Sequence, residues 1–359
     1  MEWSGRRVAV VGLGVENTPL ARFLARRGAQ VTAFDRKPLE QLAPEARALA
    51  DLGVRLAVGH DDLAALVEER FDAVFLTPGI VKDRPEIQAA RQRGARITSQ
   101  TNLFFSLCRA PIIGITGTSG KSTTTSLIGH ILAADARRPV YVGGNLGQVL
   151  IEQVEAIPPD AWVVLELSSF QLELLEESPH IGVLLNLYPN HLDVHRTFEA
   201  YRAAKQRIYR FQRPERGDQA VFYYDDPALR TLSGEAPAGA TFFGRSPDLP
   251  EGTTVTGDWA VIRRAARVTS VLPVSEIPLR GPHNVLNVLA AINVADLCQV
   301  PGERIREAVR SFRSLEHRLE TVAEIDGVLF VNDSIATTPD RAAAALRSFD
   351  RPVVLIAGG

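Results

Sequence analysis

Lysines, cysteines and long apolar runs are all scarce in this 359-residue chain. No apolar run approaches the roughly 20 residues of a membrane helix, which excludes a helical span. There are two cysteines, Cys108 and Cys298. They lie far apart among apolar residues and form no metal-ligand spacing, so they read as free thiols of a reducing compartment. Met1-Glu-Trp-Ser-Gly-Arg-Arg7 carries no signal-peptide pattern, and the expectation is a cytoplasmic protein. Neither sign of charge dominates: the net charge is −2, which gives no electrostatic reason to expect nucleic acid or a membrane as a partner. Of forty Lys and Arg residues, only four are Lys: Lys37, Lys82, Lys121 and Lys205. A lysine in so Arg-biased a chain can mark a place where an amine is needed, although chance explains any single one equally well.

What is present is ordinary globular composition, 45% hydrophobic and 23% charged, at a length that suits two or three domains. Residues 7–11 read as a buried strand, followed by Gly12-Leu-Gly14 and a helical pattern through Leu20, Phe23 and Leu24. Further strands are predicted at 30–35 and 71–76, the last leading into Thr77-Pro-Gly-Ile80. A second unit opens with an apolar strand at 111–115 and a helix from Ser122 to Ala134, then strands at 162–167 and 181–187. A β-like stretch covers 214–282 and a helix 284–297. A third unit has a predicted strand at 328–332, a helix at 338–348 and a strand at 352–357. Strands alternating with helices imply parallel α/β sheets. The expected division is 1–98, 99–311 and 312–359, the last too short to close a core of its own and so read as incomplete.

The strongest chemical signal is Thr116-Gly-Thr-Ser-Gly-Lys121-Ser122-Thr123. A strand delivers the chain to a Gly-containing turn and a helix leaves it, so backbone N–H groups face an anion. Lys121 would neutralise the outer phosphates of ATP and Ser122 would place its hydroxyl on Mg²⁺. The strict pattern wants glycine where Ile115 stands; here it is Gly117. Glu166 ends a strand, where ligands of open α/β sheets gather, and is a natural Mg²⁺ ligand; a solvated strand-end acid is the bland alternative. His191 lies just past another strand, and Lys205 lies in a helical segment where a solvated lysine would be unremarked. Gly12-Leu-Gly14 with Asp35 resembles a dinucleotide fingerprint, but Asn17 occupies the place of the third glycine.

Together these motifs resemble the Mur ligases of peptidoglycan synthesis. The run Glu166-Leu-Ser-Ser-Phe-Gln-Leu-Glu173 points to the branch that adds D-glutamate. Thr77–Ile80, Gly144-Asn-Leu-Gly147, Tyr201-Arg-Ala-Ala-Lys205, Gly281–Asn287, His317-Arg-Leu-Glu320 and Asn332-Asp-Ser334 match in the family's order. The resemblance implies three domains: a Rossmann-like N-terminal one, a central P-loop ATPase-type one, and a Rossmann-like C-terminal one that is truncated here. It implies an ATP-dependent amide ligase working through an acyl phosphate, a monomer, with UDP-N-acetylmuramoyl-L-alanine and D-glutamate as substrates. Gly117, Thr118, Ser119, Gly120, Lys121, Ser122, Thr123 and Thr124 would hold the phosphates of ATP, and Asn284, Asn287, Arg318 and Asp333 its adenine and ribose. Lys121, Glu166, His191 and Lys205 would form the catalytic group. Ser122 and Glu166 would hold one Mg²⁺; His191 and Lys205, the latter as a carbamate, would hold a second. Gly14, Val15, Asp35, Thr77, Pro78 and Gly79 would bind the UDP moiety, Asn145 and Ser168 the muramoyl part, and Thr337 the substrate from the third domain. The chain departs from the family at Ile335, where a lysine is frequent, and at Val194, where arginine is expected. Two other classes stay open from the residues alone. One is an NAD-dependent dehydrogenase built on the first unit, and the other is a nucleotide-binding module without catalysis.

Overall fold

The computed structural model describes residues 3–59, 63–265, 267–336 and 339–358. The first sheet contains β1 (Arg7–Val11), β2 (Gln30–Asp35), β3 (Arg55–Val58), β4 (Ala73–Leu76) and β5 (Arg96–Thr98), all parallel, in the order β3-β2-β1-β4-β5. Strand order reverses at β1, so the crevice for a ligand opens past its carboxyl end. Gly12 and Thr77 meet there, the first after β1 and the second after β4. Gly12 has φ of +86°, and a Cβ added to it would lie 2.7 Å from Thr77 Cγ2. Glycine therefore serves both the turn and the close approach.

The second sheet contains β6 (Ile112–Thr116), β7 (Val140–Gly144), β8 (Trp162–Glu166), β9 (Ile181–Leu184), β10 (Gln219–Tyr223), β11 (Gly239–Phe243), β12 (Gly252–Thr256), β13 (Trp259–Arg264) and β14 (Arg267–Pro273). Their order is β14-β13-β12-β11-β10-β9-β6-β8-β7, parallel except where β13 pairs antiparallel with β12 and β14. Every residue of β6 is buried. Helices packed on the sheet explain why its strands read as continuous apolar runs. The helices Lys121–Asp135 and Pro282–Leu297 share one apolar core with β6, β8 and β9. This sheet also reverses order at β6, between β8 and β9. The loop after β6, the end of β8 and the segment after β9 thus converge.

Beyond this sheet, β15 (Glu320–Ile325) and β16 (Val328–Asn332) form a hairpin closed by Asp326-Gly327, both with positive φ. The helix Pro339–Leu346 follows. Three expectations need correction. The predicted strand at 352–357 does not form: these residues pair with no strand among the described residues, and Val354 and Ile356 are 92% and 95% exposed. Strand propensity alone forms no strand without a partner edge. The stretch 214–282 is not purely β, since the helix Pro227–Ser233 crosses between β10 and β11, which lie parallel. The strand predicted at 181–187 ends at Leu184, because Leu185 onward turns toward the loop after β6.

Candidate nucleotide and metal site

The loop after β6 is held from below and from the side. Asn186, just past β9, accepts from the Ser119 N–H through Oδ1 at 2.8 Å and donates Nδ2 to the Ser119 carbonyl at 3.0 Å. Thr118 Oγ1 lies 3.1 Å from the Tyr188 carbonyl and 3.0 Å from Tyr201 Oη. Tyr188 Oη also meets Ser119 Oγ. Gly120, with φ of +82°, begins the helix; a Cβ there would sit 2.4 Å from Asn287 Oδ1. The loop and the helix Pro282–Leu297 can approach this closely only because residue 120 has no side chain. Lys121 folds back over the loop and donates Nζ to the carbonyls of Gly117 at 3.0 Å and Thr118 at 3.2 Å. Burial pushes its pKa down, the Glu166 carboxylate opposes that, and Arg341 and Arg318 add to it.

Beneath the loop lies Lys205, at 1% exposure, supplied by the helix Phe198–Gln206. Its Nζ donates to Thr116 Oγ1 at 3.1 Å and to the Gly117 carbonyl at 3.0 Å. Burial drives its pKa well below the usual lysine value; the Lys121 ammonium adds to this and Glu166 opposes it. Glu166, at 2% exposure, accepts from Asn145 Nδ2 through Oε1 at 3.2 Å. Its Oε2 is buried with no hydrogen-bond partner among the described residues. A buried carboxylate oxygen without a donor is the kind of atom a cation satisfies. Ser122, buried at the start of the same helix as Lys121, offers a hydroxyl oxygen. The residues present therefore fit a hard divalent cation, which takes oxygen ligands. No group of three or more His, Cys, Asp or Glu side chains suited to a metal gathers among the described residues. Such a cation would complete its shell from phosphate oxygens and water.

His191 is exposed and left-handed, with φ of +53°. It packs 5.1 Å from the Phe170 ring, and its pKa is lowered by partial burial and by the Lys121, Lys205 and Arg341 cations, against Asp193. No hydrogen bond joins it to Glu166 or Lys205 among the described residues.

A cavity of about 390 Å³ opens beside the loop. Thr118, Ser119, Gly120 and Thr123 line one wall, Asn284 and Asn287 another, and Arg318 and Asp333 a third. Residues distant in sequence, which the motifs assigned to one nucleotide, are thus brought to one space. Asn287 Nδ2 donates to Asn284 Oδ1 at 2.9 Å, which fixes both amides. Arg318 Nη2 donates to Ser122 Oγ at 2.9 Å. Thr124 is not part of this wall: it is fully buried and its hydroxyl has no partner among the described residues. Sequence reasoning missed Asn186, Tyr188, Tyr201 and Arg341. Arg341, from the helix Pro339–Leu346, lines the same cavity. Tyr188 stands three residues before His191 and Tyr201 four before Lys205, neither given a role; no local pattern marked Asn186 or Arg341.

The first sheet presents Gly12–Val15 and Thr77–Gly79 side by side. Asp35 holds this turn: Oδ2 accepts from the Leu13 N–H at 2.7 Å and Oδ1 from the Lys37 N–H at 2.9 Å. Gly14 is exposed and Val15 is 79% exposed. Asn17, at the third-glycine position, is wholly buried and donates Nδ2 to the Val11 carbonyl at 3.0 Å. Ser168 caps the helix Ser169–Leu172 in a reciprocal capping box with Gln171. Gln171 reaches across to the first unit, donating Nε2 to Glu16 Oε1 at 2.7 Å. Thr337 lies outside the described residues.

Glu16 has a measurable consequence. Burial pushes its carboxyl up from 4.5 to about 7, against the Gln171 hydrogen bond. The folded protein then holds this proton more tightly than the unfolded chain. The stabilisation is complete below the unfolded pKa and is lost as pH rises through about 7. Glu16→Gln keeps the acceptor and removes the charge. Urea unfolding is expected to show the variant nearly equal to wild type at pH 4 and more stable by about 1–3 kcal/mol at pH 8. Parallel pH profiles for the two proteins would contradict this.

Comparison with known proteins places these features. Residues 115–295 match the Mur ligase middle domain, and residues 6–99 match the Mur ligase MurD-like N-terminal domain. UDP-N-acetylmuramoylalanine–D-glutamate ligase of Symbiobacterium thermophilum is 51% identical over 356 residues, covering 98% of this chain and 77% of that protein. The protein of the same name from Acidobacterium capsulatum is 43% identical over 362 residues, covering 100% of this chain and 77% of that one. Among solved structures, UDP-N-acetylmuramate-alanine ligase MurC from Thermotoga maritima aligns with a TM-score of 0.57 at 22% identity, over 96% of this chain and 77% of that one. A similar likeness, TM-score 0.59 at 19% identity, holds for the UDP-N-acetylmuramate:L-alanyl-gamma-D-glutamyl-meso-diaminopimelate ligase of Neisseria meningitides, over 87% of this chain and all of that one. These two structural likenesses concern the fold.

Proposed function

The chain belongs to the Mur ligase family, and we propose that it uses ATP to add D-glutamate to UDP-N-acetylmuramoyl-L-alanine in peptidoglycan synthesis. Its relatives at 51% and 43% identity bear the name of that ligase. We read residues 1–98 as the unit for the UDP substrate, 99–311 as the unit for ATP and metal, and 312–359 as belonging to a closing unit.

The observation that carries the chemistry is the buried pair beneath the phosphate loop. Lys205 is an amine at 1% exposure whose hydrogen-bond partners among the described residues are a hydroxyl and a carbonyl. Glu166 beside it has a carboxylate oxygen without a hydrogen-bond partner among the described residues. A dehydrogenase on the first unit has no use for either. In the reaction, an oxygen of the substrate carboxylate attacks the γ-phosphorus of ATP, the bond to the β,γ-bridging oxygen breaks, and ADP leaves. The D-glutamate amine then attacks the acyl carbon, phosphate departs and the amine gives up a proton. Two anions must meet in the first step. The Lys121 ammonium and the N–H groups of Gly117–Ser122 offset their repulsion and stabilise the transferring phosphoryl. Ser122 and Glu166 would hold one Mg²⁺, and His191 and Lys205 a second. Mg²⁺ supplies further charge neutralisation at the phosphates when bound. Burial lowers the Lys205 pKa well below the usual lysine value, which favours the neutral, nucleophilic amine. Attack on CO₂ forms an N–C bond and releases one proton, leaving a carbamate oxygen ligand that arginine could not provide. Asn284, Asn287, Arg318 and Asp333 hold adenine and ribose; Gly14, Val15, Asp35 and Thr77–Gly79 hold the UDP moiety; Asn145 and Ser168 hold the muramoyl part.

Hydroxylamine trapping tests the acyl phosphate. With ATP and UDP-N-acetylmuramoyl-L-alanine but no D-glutamate, a hydroxamate of the substrate is expected to accumulate with ADP. ADP formation without any hydroxamate would contradict the sequence of steps.

A further inference from the structure

A second cavity, of about 560 Å³, lies at the other edge of the first sheet. It surrounds the amino-terminal ends of β1, β4 and β5, whereas the phosphate loop and the UDP crevice lie past carboxyl ends. The nucleotide chemistry above makes no use of it. Its floor is apolar, formed by Trp3, Phe75 and Leu103, with the Trp3 and Phe75 rings 5.6 Å apart. Its rim carries Arg6, Arg7, Arg70, Arg93 and Arg96, and one acid, Asp72. Three of these arginines are paired, Arg6 with Asp72 at 3.0 Å, Arg7 with Glu69 and Arg96 with Glu176, both at 2.5 Å. The side chains of Arg70 and Arg93 make no hydrogen bond or ion pair among the described residues. An independent observation comes from the floor. Trp3 is 6% exposed, and its indole Nε1 is buried without an acceptor among the described residues. That nitrogen has no surface open to the cavity, so Trp3 offers a ligand the face of its ring rather than a hydrogen bond.

We propose that this cavity is a second ligand site, which takes a small aromatic or heterocyclic molecule carrying a phosphate group. The volume suits such a ligand. The apolar floor accepts a ring, and two unpaired guanidinium forks match phosphate oxygens. Binding here reaches the junction between the two large sheets. Asn102, on the cavity wall, bonds the Leu174 carbonyl at 2.5 Å and the Glu176 N–H at 2.9 Å.

The test is titration calorimetry with 1-naphthyl phosphate on the wild-type chain and on Lys121→Met, whose weakened phosphate loop separates binding there from binding in this cavity. The paired variant Arg70→Gln/Arg93→Gln changes only exposed side chains, so the fold is expected to persist. It should weaken binding about tenfold, equivalent to about 1.4 kcal/mol. Trp3→Phe should weaken it by about threefold, and 1-naphthol or inorganic phosphate alone should bind at least about tenfold more weakly than the probe. Unchanged affinity in the paired variant, equal binding of 1-naphthol, or no binding at millimolar probe would each overturn the proposal.

Discussion

Replacing Lys205 is expected to lower ATP-dependent phosphate release by about 10³-fold, a loss of about 4 kcal/mol in transition-state stabilisation. The side chain is fully buried, so the choice of variant matters. Lys205→Ala leaves a cavity and risks instability. Lys205→Met fills most of the volume, removes the amine and also removes the cost of burying a basic group without an acid in hydrogen-bond contact. Both variants should be inactive, Lys205→Met with a melting temperature at or above that of wild type. Added bicarbonate should rescue neither. With ¹³C-bicarbonate, a protein carbamate resonance is expected in wild type and absent from both variants. Near-normal turnover of Lys205→Met would remove this residue from the mechanism.

Lys121→Met carries the second large effect. The Lys121 ammonium rests on two backbone carbonyls, and no acid among the described residues accepts a hydrogen bond from it. The cation is therefore available to a phosphate, and burial strengthens its pull in a site of low dielectric. Phosphate release is expected to fall by about 10³-fold. The rise in melting temperature caused by ATP should be largely lost. The ligand-free melting temperature should change little, since no ion pair is broken. A variant that keeps its ATP-induced shift and its turnover would contradict the assignment of the loop.

The parts of this site that were legible in the sequence are those where chemistry needs contiguous residues. The loop Gly117–Thr123 shows its glycines, amine and hydroxyls in one run, and β6 and the helix after it have clear apolar patterns. Glu166 was legible because it ends a strand in a parallel sheet. Lys205 was legible only through the scarcity of lysine and the family resemblance, since its helix looks like a solvated one. Its burial comes from packing below the loop. Asn186, Tyr188 and Arg341 were not legible. Each reaches the site from a separate segment, and no spacing in sequence encodes the convergence at β6. The helix Gly302–Ser311 was legible and went unread: Ile305, Ala308 and Val309 recur at i, i+3 and i+4 among charged neighbours. The strand expected at 352–357 illustrates the opposite error. Its β-branched residues describe a propensity, whereas a strand also needs an edge to pair with.

The proposed activation of a carboxylate with ATP gives a use to the loop that opens the central sheet, to the buried Glu166 and Lys205 and to the cavity walls contributed by Asn284, Asn287, Arg318 and Asp333. The most direct test is phosphate release measured with ATP, Mg²⁺ and UDP-N-acetylmuramoyl-L-alanine against a panel of amino acids. Sustained release that depends strictly on D-glutamate is the predicted result. Release driven instead by L-lysine or meso-diaminopimelate, or release indifferent to the amino acid, would contradict it.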